Sequence, residues 1–429
     1  MINYFLTGFQ FTKGRYWFLL YGILTLSTVL DSTSRAGAET PSPVSESKTG
    51  SKKDVTSIKN DAQWRKKMQG LYKTMIEITT DTSSDRRFNA PENKNRIEKN
   101  AKILADQAHD LSKNGASSDP DPSIKIISGL FQNETKRAYS ALKSGNRAYA
   151  KGILSQVSGF CIACHTRNNS GPSFSSLPLE PMANDLFPIE QGRFYAATRQ
   201  YERALDLFQK VVSSPTAVIE RPLEWEQAVR YGLAISVRVK KDPDQARALV
   251  ERVIGSKKAP FFLKQDAAKW RESIIKWKEE LPRKALTDEG LYSEARQLIA
   301  EASQIQKYPK DHAADILYLR ATAVIHELLQ KSPDGRNAQD ALLMAGMSYD
   351  VLRPFNLDDI HDIYYQACIK KSPHTSTSEI CYRRYEQSTY EGFTGSGGAF
   401  LPEDVKQHLQ QLENLAHPES STNGVTAPN

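Results

Sequence analysis

Apolar residues between positions 59 and 167 recur at alternating steps of three and four, in four runs separated by polar breaks. That spacing predicts amphipathic helices. The first, about Asp61 to Thr80, puts Trp64, Met68, Leu71, Met75 and Ile78 on one stripe; the second, about Glu92 to Lys113, does so with Ile97, Ala101, Leu104, Ala108 and Leu111. The third opens on Asp121-Pro122-Ser123 and carries Ile124, Ile127, Phe131, Ala138 and Leu142. Proline in the first turn after an aspartate is a helix-entry signal. The fourth, from about Asn146, carries Tyr149, Ile153, Val157 and Phe160. Each stripe is too narrow to be buried on two sides, so the four helices are expected to close into an antiparallel bundle over residues 59–167.

Residues 168–185 (NNSGPSFSSLPLEPMAND) are rich in Pro, Ser and Asn and read as a linker. Beyond them helical segments recur to about residue 416, among them Ala313 to Lys331, Ala338 to Leu352 and Asp358 to Lys371, and no strand-like alternation competes. Pro402 to Ala416 reads as a last helix, residues 417–429 as a frayed tail, and Gly392 to Gly398 (GFTGSGG) as a surface loop without the Lys of a phosphate-binding loop. The expected fold class is all-α.

The first 38 residues combine Lys13 and Arg15, a fifteen-residue apolar stretch from Tyr16 to Leu30, and a small-x-small ending, Ala36-Gly37-Ala38. This is the plan of a secretory signal cleaved after Ala38, with an uncleaved membrane anchor as the alternative. Residues 39–58 are polar and aperiodic, a flexible tether. No later apolar run is long enough for a bilayer span, so no stable span is expected once the signal is cleaved. The 429 residues hold 57 Lys and Arg against 50 Asp and Glu, a net charge of +7 spread in short runs such as Arg65-Lys66-Lys67 and Lys257-Lys258. Nucleic-acid binders concentrate their basic charge, so no nucleic-acid partner is expected.

Of the four cysteines, Cys161 and Cys164 stand in Cys161-Ile162-Ala163-Cys164-His165. C-x-x-C-H is the attachment motif of c-type haem. Two thiols three positions apart share a helical face and can form thioethers to one porphyrin, and the adjacent histidine reaches the iron. One haem c per chain is the expected cofactor, and a periplasmic location follows, since attachment takes place after export. Three other uses of the pair stay open: a thioredoxin-like redox pair, a zinc site and a structural disulfide.

Four helices with this motif near the end of the last resemble the cytochrome c prime family, through Tyr149 to Asn168 (YAKGILSQVSGFCIACHTRN) and Trp64-Arg65-Lys66-Lys67-Met68. The resemblance covers about a quarter of the chain. It implies that His165 is the proximal iron ligand and that Cys161 and Cys164 hold the porphyrin. It also implies that a first-helix residue faces the other side of the iron, leaving it open or closing it. Met68 is the first candidate to close it, Met75 the second and His109 a weaker third, with plain core packing as the alternative for both methionines. Arg65 is a candidate partner for a haem propionate, or a plain surface arginine.

Gly192, Tyr195, Tyr201, Ala204, Phe208 and Pro215 resemble a tetratricopeptide repeat, with the proline one position early. A looser second unit runs from Glu224 to Ile254 with Ala234 and Ala246 at its small positions. Tetratricopeptide-like repeats are therefore expected over 186–256 and further repeat-like helices over 257–416, the alternative being an irregular helical domain. The resemblance implies a solenoid that docks a protein partner. Cys368 and Cys381 flank the turn Lys371-Ser372-Pro373-His374-Thr375 and are candidates for a disulfide, with two free thiols as the alternative.

No paired carboxylate, nucleophile constellation or substrate loop is found elsewhere, which favours a haem-binding electron carrier over an enzyme. Two other readings stand beside it: a haem-based sensor or binder of small gases with an open distal site, and a periplasmic protein-binding scaffold.

Overall fold

Local chemistry sets where the helices start and stop. In a computed structural model describing residues 55–114, 121–167, 186–280, 286–353 and 360–417, the first half of the chain forms α1 (Val55–Thr82), a short α2 (Asp85–Asn89), α3 (Lys94–Asn114), α4 (Pro122–Lys143) and α5 (Arg147–His165). Asp121 caps α4, its carboxylate accepting from Ser123 N at 2.9 Å, with Pro122 in the first turn where its missing N–H costs nothing. Asn146 caps α5 by accepting from Tyr149 N. The expected signal, the linker 168–185 and all but the first residue of the expected tail lie outside the described residues. So does the expected tether up to residue 54, while its last positions are the opening of α1.

Helix α3 packs against α1 and α4, α4 against α5, and α5 returns to α1. Leu71, Met75, Ile78, Ile97, Ala101, Leu104, Ala108, Phe131, Ala138 and Val157 fill the space between them. One expected stripe position fails. Tyr149 is 43% exposed, and Ala150 and Leu154 take the buried face of α5 instead. Its hydroxyl meets Arg137 at the surface, so the phenol stays in water at the helix entry.

The second half continues with α6 (Pro188–Ala197), α7 (Tyr201–Ser213), α8 (Ala217–Glu220), α9 (Pro222–Leu233), α10 (Pro243–Gly255), α11 (Phe261–Glu279), α12 (Asp288–Ile305), α13 (Asp315–Lys331), α14 (Ala338–Val351), α15 (Ile360–Lys371), α16 (Ser376–Gly392) and α17 (Glu403–Ala416). The chain is thus predominantly α-helical. The exception among the described residues is an exposed two-residue hairpin, Thr394–Gly395 with Gly398–Ala399, inside the expected surface loop. Helix α9 runs directly into a π-helical turn, Ala234–Val239.

Successive helices pack as neighbours: α6 with α7, α10 with α11, α12 with α13, α14 with α15. A small residue meeting a large one recurs. A methyl group at Gly192 would lie 2.5 Å from Cε1 of Phe208, one at Gly232 2.6 Å from Cδ2 of Leu249, and Gly346 faces the ring of Tyr365 just as closely. In the second unit the closest approach therefore belongs to Gly232, although Ala234 and Ala246 are buried too. Cys368 and Cys381 are disulfide-bonded across the α15–α16 turn, Cα to Cα 6.3 Å.

The two halves share their interior. Ile127, Ile162 and Ala163 of α4 and α5 belong to the apolar core of the second half, while Phe194 of α6 belongs to that of the first. All described residues fall in one compact unit. Among them, no helix is long and apolar enough to cross a membrane.

Candidate functional site

Helix α5 ends on the Cys161–His165 pentapeptide, and its last two turns form one side of a cavity whose empty space, its open mouth included, is about 740 Å³. Cys161, Cys164 and His165 face it together with Phe160. Met68, Leu71, Tyr72 and Met75 line it from α1, and Ile124, Ile127, Ser128 and Phe131 from α4. Leu111 of α3 also faces it, and the rest of the wall is α6 and the residue after it: Phe194, Ala197 and Thr198. The lining is almost wholly apolar. Of its three hydroxyls, those of Ser128 and Thr198 are engaged by backbone, Ser128 Oγ donating to Lys125 O at 2.9 Å and Thr198 Oγ1 to Phe194 O at 2.9 Å.

His165 is oriented from the second half of the chain. Its Nδ1 lies 2.6 Å from Ala197 O. A carbonyl only accepts, so Nδ1 carries the hydrogen and the neutral ring keeps its lone pair on Nε2. Burial, with Arg199 nearby, pushes the imidazole down to about 4 against the opposing pull of the Ala197 hydrogen bond. The ring is therefore a neutral donor over the whole ordinary pH range. Metal-bound histidines commonly show this arrangement, one nitrogen tied to a backbone carbonyl and the other facing the metal.

Neither motif cysteine is in a disulfide; both carry thiols. Burial, with Cys164 alongside, pushes the Cys161 thiol up to about 12. A thioredoxin-like pair needs the opposite, a depressed pKa that supplies thiolate. Among the described residues no group of three or more His, Cys, Asp or Glu is placed to hold a metal ion, so the pair gains no further zinc ligands there.

The cavity thus brings together five of the residues singled out in the sequence: Cys161, Cys164, His165, Met68 and Met75. His109 is elsewhere. It is exposed on α3 and its Nδ1 meets Gln132 Nε2 at 2.8 Å, which removes it as a distal candidate. Arg65 is in α1, with its side chain outside those described. Sequence reasoning missed Phe194, Ala197 and Thr198. A signal was present: at ~100° per residue, Ile189, Gly192 and Ala196 fall on one side of α6 and Phe194 and Ala197 on another, and all are buried. A helix buried on two sides has two partners, here α7 on one side and the cavity on the other. No protein-family model, no curated protein and no solved structure matches the chain.

Proposed function

We propose that the chain is a c-type cytochrome, binding one haem in the α1–α4–α5–α6 cavity, and that it serves in electron transfer. The observation that carries this reading is the convergence of the C-x-x-C-H residues and two first-helix methionines on one apolar cavity. The residues present fit the group. The lining suits an apolar macrocycle, the two thiols lie on one wall, and His165 offers an unprotonated Nε2.

Cys161 and Cys164 would add across the two vinyl groups. Each addition forms one carbon–sulfur bond, and the thiol hydrogen goes to the neighbouring vinyl carbon, so no oxidant is consumed. His165 would ligate the iron, and its bond to Ala197 O holds the ring plane. Met68 or Met75 would close the opposite side. Arg199, close enough to act on His165, and Arg203, close enough to act on Tyr72, put positive charge at the cavity's flank and could meet the propionates. Bound there, haem supplies a one-electron ferric–ferrous couple. The chain's part is to anchor it, exclude water and fix its axial ligands, which together set the potential.

In fold terms the proposal reads α1, α3, α4 and α5 as a four-helix bundle and the later helices as a tetratricopeptide-like array. An electron carrier needs a donor and an acceptor, so a protein redox partner belongs to the proposal, as does export to the periplasm. The test is the visible spectrum of the exported protein, oxidised and reduced. A covalently bound chromophore with a six-coordinate, low-spin spectrum and a weak sulfur-to-iron band at the red edge supports the proposal. A five-coordinate, high-spin spectrum that changes with carbon monoxide would transfer the site to gas binding.

A further inference from the structure

A helix C-terminus leaves its last carbonyls without donors from its own helix. At the end of α5, directly after the C-x-x-C-H residues, the donors come from the second half of the chain. Tyr201 donates its hydroxyl hydrogen to His165 O at 2.7 Å. Arg238 donates from Nε to Thr166 O and from Nη2 to Thr166 Oγ1, both at 2.7 Å. The Thr166 hydroxyl in turn donates to Ile162 O at 2.7 Å, inside the pentapeptide. The third arm of Arg238, Nη1, donates to Tyr349 Oη at 3.0 Å.

The support continues behind Arg238. Tyr349 Oη meets His326 Nε2 at 2.6 Å, His326 Nδ1 donates to Asp121 Oδ2 at 2.8 Å, and Asp121 is ion-paired with Arg167. All of these side chains are buried, Arg238 at 1% exposure. The backbone under Arg238 is unusual as well, since it lies in the π-helical turn Ala234–Val239, closed by Lys240 N to Ile235 O at 2.8 Å. A π turn inserts an extra residue and re-aims the side chains beyond it, and such turns cluster at functional sites.

We infer that Arg238 is a positioning residue for the proximal side of the haem site. Its planar fork locks the turn that follows His165, and its charge favours the reduced iron. This rests on the haem reading above. The two consequences separate by substitution. Arg238→Gln removes charge and fork; Arg238→Lys keeps the charge and loses the fork, because an ammonium cannot reproduce the paired donation. A positive charge in a dry interior stabilises the ferrous over the ferric state. Arg238→Gln is therefore expected to lower the midpoint potential by an amount equivalent to about a tenfold change in the reduced-to-oxidised ratio, about 59 mV for one electron.

The experiment is a redox titration of the exported wild type, Arg238→Gln, Arg238→Lys and Tyr201→Phe. Arg238→Lys should move the potential less than Arg238→Gln, and both should shift the axial-ligand bands. Unchanged potentials and spectra, with only a lower melting temperature, would overturn the inference. If Arg238→Gln fails to fold, Tyr201→Phe decides: shifted ligand bands support the inference and unshifted bands overturn it. A second readout needs no haem. In the reduced haem-free chain, iodoacetamide should alkylate Cys164 severalfold faster in Arg238→Lys than in wild type, and equal rates would count against the clamp. A wild type without bound haem is a failure of the functional reading, and the alkylation comparison still judges the clamp on its own.

Discussion

Met68 and Met75 share one face of α1, two turns apart, and compete for one role. Both line the cavity, Met75 buried and Met68 half-buried. The expected result is that Met68→Ala removes the sulfur-to-iron band and Met75→Ala retains it, read by oxidised visible spectra; the reverse result assigns the ligand to Met75. Retention in both variants would remove methionine from the iron altogether. At the same scale, Cys161→Ala/Cys164→Ala is expected to abolish covalent haem, checked by mass spectrometry, while far-ultraviolet circular dichroism keeps its helical signature. The pentapeptide was legible because its spacing has one dominant chemical use. Tyr149 was misread because an apolar ring satisfied the period, although its hydroxyl and its place at the helix entry left it in water.

Among the elements, the apolar period located every long helix of the first half, and Asp121-Pro122 marked the start of α4 because capping is written in adjacent residues. Partners were harder to read, since a stripe says which face is buried and not against what. Gly232 illustrates this: its role exists only once α10 brings Leu249 over it. Gly192→Ala is expected to destabilise the chain by about 1–3 kcal/mol, since a methyl group would overpack against Phe208, measured by urea unfolding. No loss of stability would mean that α6 and α7 can slide apart without penalty.

Across the whole molecule, the two halves are held by the buried group Asp121, Arg167, His326, Tyr349 and Arg238. Burial opposes ionisation of Asp121, but Arg167, His326 and Ser123 outweigh it and hold the carboxyl well below the usual carboxylate range. Burial pushes His326 down. The signs agree. A depressed carboxyl stabilises above its unfolded value and loses that contribution as pH falls below about 4, and a buried neutral histidine loses its contribution as pH falls below about 6.5. Asp266, raised to about 6 by burial and the neighbouring Asp315, works the other way between those limits. Burial raises Asp81, Glu190 and Asp315 in the same direction. Thermal unfolding of Asp266→Asn is therefore expected to show a steeper loss of stability than wild type as pH falls from about 6 to about 4, and an identical profile would count against it. Asp121→Asn, which strands Arg167's partner site, is expected to cost about 3–5 kcal/mol at pH 7, measured by urea unfolding.

This joining of the halves was the least legible feature. Its members are scattered from Asp121 to Tyr349, and nothing in local periodicity pairs them. The same holds for α6, which reads as the start of a repeat and also closes the cavity. The proposed function stands or falls with covalent attachment of a haem to Cys161 and Cys164. The most direct measurement is the intact mass, with the visible spectrum, of protein exported from a host able to attach haem c. One haem per chain and no alkylatable thiol at those two positions is the expected result. Colourless protein with both thiols open to alkylation would contradict it.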